Sequence, residues 1–422
     1  MEKLIINGKR KLSGQLTLPA AKNAVLPLLA LTVASRGDIR LRGCLPIADV
    51  VKMLDILTFL GAKAYFDGND ICVNCADVQP KPLGERFTGG IRSSIFMLGP
   101  ILARFGQAEI CYPGGCEIGL RPIDLHIEGL KRLGVKIIEK NGFLVCDGSE
   151  MHAADVYLDF KSVGATENLM MAALFLPGTT VIRNAAQEPE IRDLGVFINR
   201  LGGKVFGAGG DTVCIEGVKR LSGGDYTPVS DRIAAGTYMA ALAACGGSIT
   251  LKNYCECDMK AAEEKFGQCG VVIRHRKGEA DFTLPGRVRS VRKIETQPFP
   301  GFPTDMQPQI TAATCFARGT SIIVENLFEN RFKYTRQLQK AGADITVKGS
   351  VAVVKGRGGL QAADMTAEDL RGGAALVIAA LGAPGESSVS GVEHIDRGYY
   401  KIEEDFARLG ADISRKTQFF QE

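Results

Sequence analysis

The chain has little surplus of charge in either sign. Its 51 Lys and Arg against 47 Asp and Glu leave a formal net charge of +4 over 422 residues. No long basic run concentrates that charge, so nucleic acid finds no electrostatic footprint here. No run of about 18 apolar residues exists, the length a membrane-spanning helix needs. The opening Met1-Glu2-Lys3-Leu4-Ile5-Ile6-Asn7-Gly8 is too short in apolar residues for a secretory signal. Histidine is scarce, at four. The 12 cysteines scatter without framework spacing, which suits reduced thiols in a cytoplasmic protein better than a disulfide scaffold. Cys72-x-x-Cys75 and Cys255-x-Cys257 lack a second Cys or His pair at finger-like spacing, so no metal site is expected. What remains is globular in composition, 45% apolar and 23% charged, and long enough for two or three domains.

A repeat organises the rest. A helical pattern ending in glycine and followed by strand-like residues occurs six times, at Gly61, Gly134, Gly202, Gly270, Gly342 and Gly410, with spacings of 73, 68, 68, 72 and 68 residues. In the first copy Val50, Leu54, Leu57 and Leu60 keep one helical face apolar. Gly61 then suits the left-handed position that stops a helix. Hairpin signals follow in five copies, at Asp67-Gly68, Asn141-Gly142, Gly209-Gly210, Lys277-Gly278 and Lys348-Gly349. Each copy also has an earlier helix of small and apolar residues, over 23–35, 92–104, 165–176, 232–244, 305–317 and 370–381. Such helices are apolar all round and belong in a core. A glycine and a short strand follow each, as in Gly178-Thr179-Thr180-Val181-Ile182-Arg183. The unit is helix, strand, helix, hairpin, and three units per domain give two similar α/β domains of ordinary size with a cleft between them.

Polar residues gather at the N-terminal ends of these core helices: Lys22-Asn23, Arg92-Ser93-Ser94, Ser162 with Thr166-Glu167-Asn168, Asp231-Arg232, Asp305 with Gln307, and Asp369 with Arg371. Helix capping accounts for Ser162, Asp231, Asp305 and Asp369. It does not account for Lys22, Arg92 and Arg371 at the same ends. Unpaired amides beside lysine or arginine suit a phosphate or carboxylate.

The segment Pro113-Gly114-Gly115-Cys116-Glu117-Ile118-Gly119-Leu120-Arg121-Pro122 must be a loop, because three glycines and two prolines forbid regular structure. From the glycine before the short strand to the helix-ending glycine, the six units measure 24, 28, 24, 23, 23 and 25 residues. The surplus of the second falls in this loop, and an insertion that departs from the chain's own template points to function. A thiol close to a guanidinium can be tuned for proton transfer or attack.

The six-unit layout resembles the enolpyruvyl transferases along its full length. The motifs that carry the resemblance are Ala21-Lys22-Asn23-Ala24, the 113–122 loop with Asp124-Leu125-His126, Ser162-Val163-Gly164-Ala165-Thr166, Glu188-Pro189-Glu190, Phe302-Pro303-Thr304-Asp305-Met306-Gln307, Phe328-Glu329-Asn330-Arg331-Phe332, Asp369-Leu370-Arg371 and His394-Ile395-Asp396-Arg397-Gly398-Tyr399. The resemblance implies an inside-out α/β barrel in each of two domains, one over residues 22–229 and one over 1–21 plus 230–422. It implies transfer of the enolpyruvyl group of phosphoenolpyruvate to the 3-hydroxyl of UDP-N-acetylglucosamine, with no metal or organic cofactor. Cys116 is then the proton donor and the site of fosfomycin-type alkylation, and Asp305 the base for the sugar hydroxyl. Lys22, Arg121 and Arg397 would hold the phosphate and carboxylate of phosphoenolpyruvate, helped by Arg92, Arg331 and Arg371. Asn23 and Asp305 would meet the acetylglucosamine. Arg121, Pro122, Ile123, Asp124, Leu125 and His126 would flank the uridine. Ser162, Val163 and Gly164 would serve the diphosphate, with Lys161 nearby. Leu327 would touch the sugar, and Asp369 would complete the set.

Two departures from the family pattern stand out: Ala234 where glutamate is common, and Lys333-Tyr334-Thr335 after Arg331-Phe332. Two rival readings are a shikimate 3-phosphate transferase and a sugar-nucleotide sensor without turnover. The cysteine loop and Arg121-Pro122-x-Asp124 argue against the first. Retention of Lys22, Cys116, Asp305 and Arg397 argues against the second. The sequence leaves the oligomeric state open, and a monomer is compatible with it.

Overall fold

The computed structural model describes residues 2–114 and 123–417, which form two compact units: 20–114 with 123–229, and 2–19 with 230–417. Chain crossings therefore fall at Pro19–Ala20 and Val229–Ser230.

In the unit of residues 20–229, the helix Leu98–Phe105 packs inside against both Lys22–Thr32 and Val163–Ala172. One sheet runs in the order Gly224–Tyr226, Asp38–Leu41, Asp70–Asn74, Lys63–Asp67. Another runs Asp155–Tyr157, Thr179–Arg183, Thr212–Glu216, Lys204–Phe206. In both, the strand that follows a core helix pairs parallel with the edge strand on one side and antiparallel with a hairpin strand on the other. The third sheet, Gln107–Cys111, Phe143–Asp147, Lys136–Lys140, keeps only a single parallel bridge, Leu83 to Ile110, where the others have an edge strand. One apolar cluster, containing Leu29, Leu57, Leu102, Leu169 and Phe197, fills the space between helices and sheets.

The unit of residues 2–19 and 230–417 repeats the plan. Its core helices are Arg232–Cys245, Gln307–Thr314 and Leu370–Gly382, each packed on the other two. Strand Leu12–Thr17 supplies the parallel edge beside Gly247–Lys252, with Leu12 opposite Gly247. In the last repeat Glu2–Asn7 lies between Glu386–Ser390 and Asp412–Thr417, the place held elsewhere by the second strand of the hairpin. Leu4 and Ile6 alternate inward and are fully buried, so the strand's two-residue period fixes which face meets the core.

All six helix-ending glycines sit at positive φ, between 84° and 110°, where a Cβ would clash with its own backbone. Two core helices start differently from the sequence expectation. Over 92–104 a 3₁₀ turn, Arg92–Met97, precedes the α-helix Leu98–Phe105. Before Gln307–Thr314 lies another, Thr304–Met306. Each α segment carries a proline in its first turn, Pro100 and Pro308. Proline offers no N–H and crowds the preceding turn, so the regular helix begins just ahead of it.

Candidate active site

In the unit of residues 2–19 and 230–417, the end of the core helices carries a closed electrostatic cluster. Asp305 lies in the 3₁₀ turn Thr304–Met306. Its Oδ1 accepts from Arg331 Nη2 at 2.8 Å, and its Oδ2 accepts from Arg371 Nη2 at 3.0 Å and Nε at 3.2 Å. The arginine side chains are only 2% and 4% exposed, whereas Asp305 retains 24%. The carboxylate is therefore the wet end of a buried cationic pair. Burial works against the Arg371 charge, but Asp305, Tyr399 and Asp231 outweigh it and hold the guanidinium firmly ionised. Asp369 acts as the N-cap of Leu370–Gly382, its Oδ1 accepting from Arg371 N at 3.0 Å and Gly372 N at 2.9 Å. That cap sets the backbone from which Arg371 reaches Asp305.

Behind Arg371 the hydrogen bonds run in one direction. Arg371 Nη1 donates to Tyr399 Oη at 3.1 Å. Thr237 Oγ1 donates to Ile233 O at 2.9 Å, so the 2.7 Å contact between Tyr399 Oη and Thr237 Oγ1 has tyrosine as donor. Gln309 Nε2 adds a bond to Thr237 Oγ1 at 3.2 Å. On the other side, Glu325 is buried and gathers Thr304, Thr296 and the backbone that follows it. Its Oε2 accepts from Thr304 Oγ1 at 2.9 Å, and its Oε1 accepts from Thr296 Oγ1 at 3.0 Å and Leu327 N at 2.9 Å. It thus fixes both the turn before Asp305 and half-buried Leu327. Tyr334, at one of the two sequence departures, is buried and donates to Gln307 Oε1 at 3.2 Å. Ala234, the other departure, is buried, and its N–H donates to the cap Asp231 at 2.8 Å. Arg397 is half-buried just after the short helix Val392–Ile395.

In the unit of residues 20–229, Ser162 caps Val163–Ala172, accepting from Ala165 N at 3.3 Å, and leaves Val163 and Gly164 at the helix start. Against that start lies His126 from the helix Asp124–Arg132. A Cβ on Gly164 would meet its Cε1 and Nε2 at 3.0 Å, so any larger residue would make the buried ring give way by a few tenths of an ångström. His126 Nδ1 accepts from Asn168 Nδ2 at 3.0 Å, which leaves the ring proton on Nε2. Burial first, and then the charge of Arg92, push the ring down to about 3, so it is neutral. Arg92 also donates to Pro113 O at 3.3 Å. Asn168 joins three elements, since it donates to Ile95 O at 2.9 Å and accepts from Gly99 N at 2.7 Å. Ile123 is buried, Leu125 half-buried and Asp124 exposed. Lys161 pairs with Asp211 at 2.6 Å. Lys22 opens its helix and lies 2.8 Å from Asp49 Oδ2, the two side chains 10% and 3% exposed, with Asn23 half-buried beside it. Cys116, Arg121 and Pro122 lie outside the described residues.

The structure thus gathers Asp305, Arg331, Arg371 and Asp369 at one place, and His126, Arg92, Ser162 and Gly164 at another. It adds residues that sequence reasoning passes over: Asp49, Asn168, Glu325 and the roles of Thr237 and Tyr399. Asp49 and Glu325 carry a weak signal, each a carboxylate set among apolar neighbours where a cap alone would not need burial. Glu167 is a further surprise. It is fully buried on the core helix, neither carboxylate oxygen has a partner among the described residues, and burial together with Glu190 and Glu188 holds it protonated well above the usual carboxylate range.

The family model described as EPSP synthase (3-phosphoshikimate 1-carboxyvinyltransferase) matches residues 6–406. The chain is 46% identical to UDP-N-acetylglucosamine 1-carboxyvinyltransferase 2 of Caldanaerobacter subterraneus subsp. tengcongensis, covering 98% of this chain and 100% of the relative. It is 43% identical to UDP-N-acetylglucosamine 1-carboxyvinyltransferase 1 of Symbiobacterium thermophilum, covering 98% and 95%. Its fold matches the crystal structure of the enolpyruvyl transferase NikO from Streptomyces tendae, with a TM-score of 0.89 at 22% identity over 99% of both chains. EPSP synthase from Acinetobacter baumannii matches with a TM-score of 0.74 at 18% identity over 99% of this chain and 100% of that one.

Proposed function

The chain belongs to the EPSP synthase family, and from that premise we propose that it is a UDP-N-acetylglucosamine 1-carboxyvinyltransferase. It transfers the enolpyruvyl group of phosphoenolpyruvate to the 3-hydroxyl of UDP-N-acetylglucosamine and releases phosphate, the first committed step of peptidoglycan synthesis. The observation that carries this reading is near-full-length likeness to relatives of that name, far above the likeness to the shikimate-pathway structures.

The chemistry needs one proton delivered and one removed. Cys116 protonates the methylene carbon of phosphoenolpyruvate, and charge develops at the adjacent carbon. Asp305 takes the proton of the sugar 3-hydroxyl as its oxygen attacks that carbon. Phosphate then leaves, and a proton lost from the new methyl group restores the double bond. A thiol of ordinary pKa, roughly 8.5, is mostly protonated at neutral pH and can serve as the acid. Lys22, Arg121 and Arg397, with Arg92, Arg331 and Arg371 in support, offset the charge of phosphate and carboxylate. Asp305 suits its role because the two guanidinium groups fix its orientation while one edge stays solvated. Asn23 and Leu327 face the acetylglucosamine. The run Arg121, Pro122, Ile123, Asp124, Leu125 and His126 flanks the uridine, and Ser162, Val163 and Gly164 serve the diphosphate. Asp369 acts through the helix cap that positions Arg371. The enzyme works in the cytoplasm, supplies wall synthesis for cell division and shape, and is inactivated by fosfomycin-type epoxides at Cys116.

Phosphate release from phosphoenolpyruvate, with UDP-N-acetylglucosamine or shikimate 3-phosphate as acceptor, decides the matter. Release only with the sugar nucleotide supports the assignment. Release only with shikimate 3-phosphate transfers it to the sister activity, and release with neither leaves a binder without turnover.

A further inference from the structure

After strand Gly247–Lys252 the chain turns through Asn253, at φ 57°, into the short 3₁₀ turn Glu256–Asp258. Asp258 N donates to Cys255 O at 3.2 Å, and this closure brings the side chains of Cys255, Cys257 and Asp258 to one side. Cys255 Sγ lies 2.9 Å from Cys257 Sγ, and Cys257 Sγ lies 3.3 Å from Asp258 Oδ1. All three donor atoms fall within 4.8 Å of one another. We propose that Cys255, Cys257 and Asp258 form a binding site for a thiophilic d10 cation such as Zn²⁺, apart from the residues assigned to catalysis.

Two features support the site. The 3.3 Å edge between Cys257 Sγ and Asp258 Oδ1 is close to that of a tetrahedron around zinc, whose edges are about 3.5–3.8 Å for metal–sulfur bonds of about 2.3 Å and metal–oxygen bonds of about 2.0–2.2 Å. The sulfur pair, 2.9 Å apart, widens by about 1 Å to complete one face, a change of side-chain rotamer, and Cys257 is exposed, so the fourth position opens to water. The turn also lies beside the segment that leads to Asp305. Cys257 and Asp258 line a small cavity of about 40 Å³ with Lys260, Phe299, Pro303 and Met306, and Met306 ends the turn that carries Asp305. Two cysteines one residue apart do not resemble a finger motif, and only the adjacent carboxylate makes a third ligand.

The probe is Cd²⁺ added to the reduced full-length protein, read by the thiolate-to-cadmium charge-transfer band in the ultraviolet. The expected result is a saturable band, with release of about two protons per ion at neutral pH, displaced by Zn²⁺. The Cys255→Ser/Cys257→Ser variant loses it, while Cys72→Ser/Cys75→Ser and Cys116→Ser keep it. Asp258→Asn keeps both sulfurs but weakens Cd²⁺ binding by at least about tenfold, a shift of about 1.4 kcal/mol. Unchanged phosphate release by the double-serine variant shows that it is folded. No band in the wild type, a band that survives the double-serine change, or Asp258→Asn binding as tightly as the wild type overturns the three-ligand site.

Discussion

Arg371 grips Asp305 side-on, Nη2 and Nε both donating to the same Oδ2, at 3.0 and 3.2 Å. With Arg331 on Oδ1, the carboxylate lies between two guanidinium groups that are almost wholly buried. Asp305→Ala leaves those cations facing each other. The expected loss is about 3–5 kcal/mol of stability, the usual cost of breaking a buried pair by removing one partner, together with loss of turnover. Urea unfolding and phosphate release measure the two effects separately. Full stability in the variant would mean that the arginines find other partners.

Tyr399 tests whether Arg371 must be held in place. Tyr399→Phe removes the acceptor for Arg371 Nη1 and the donor to Thr237 while keeping the ring that lies 5.6 Å from the guanidinium. The expected fall in kcat is about tenfold, equivalent to about 1.4 kcal/mol. Affinity for the sugar nucleotide should stay near that of the wild type, with a changed acid limb of the pH–rate profile. A loss of thermal stability with kcat and profile unaltered would reduce Tyr399 to a packing residue.

Lys22 and Asp49 form a pair whose two roles can be separated. Lys22→Met removes a cation proposed to hold phosphoenolpyruvate and leaves Asp49 buried without it. Both activity and stability should fall, the latter by about 3 kcal/mol. Adding Asp49→Asn should recover most of the stability and none of the activity. A double-mutant cycle on unfolding free energy and kcat/KM reads this directly. Recovery of activity in the double variant would remove Lys22 from the chemistry.

Glu167 and His126 set opposite pH limits. Glu167 is protonated when folded and ionises near 4.5 when unfolded, so its contribution is intact below that value and is lost as pH rises towards its much higher folded pKa. Glu167→Gln should therefore unfold at a higher temperature than wild type at pH 8 and show a flatter alkaline decline. His126 is neutral in the fold down to about 3 and takes up a proton near 6.5 when unfolded. It stabilises fully above 6.5 and less with each step of acid towards 3. His126→Gln should flatten the acid side of the melting profile, and identical profiles for wild type and variant would contradict the buried neutral ring.

Some of the site was readable from the chain and some was not. Ser162, Asp231 and Asp369 announce themselves because a cap bonds to backbone two or three residues away, a local demand on residue type. Asp305 is different. A reader of the sequence sees a candidate cap at a helix start, whereas its oxygens are taken by side chains 26 and 66 residues away. His126 alone reads as a surface histidine; Gly164 and Asn168 bury it and choose its tautomer.

The chain's own residues determined the six glycine-ended helices, the apolar core helices and five of the hairpins, because helix periodicity, strand alternation and positive φ are short-range demands. Tertiary structure alone decided that Glu2–Asn7 would complete the last sheet beside Asp412–Thr417, and that Leu12–Thr17 would edge the sheet of Gly247–Lys252. It also decided which carboxylates would meet which guanidiniums. The strand pairings join segments separated by hundreds of residues, and the ion pairs at Asp305 join segments 26 and 66 residues apart. They are selected by the burial of a whole apolar face against a shared core, a quantity that no local window of sequence contains.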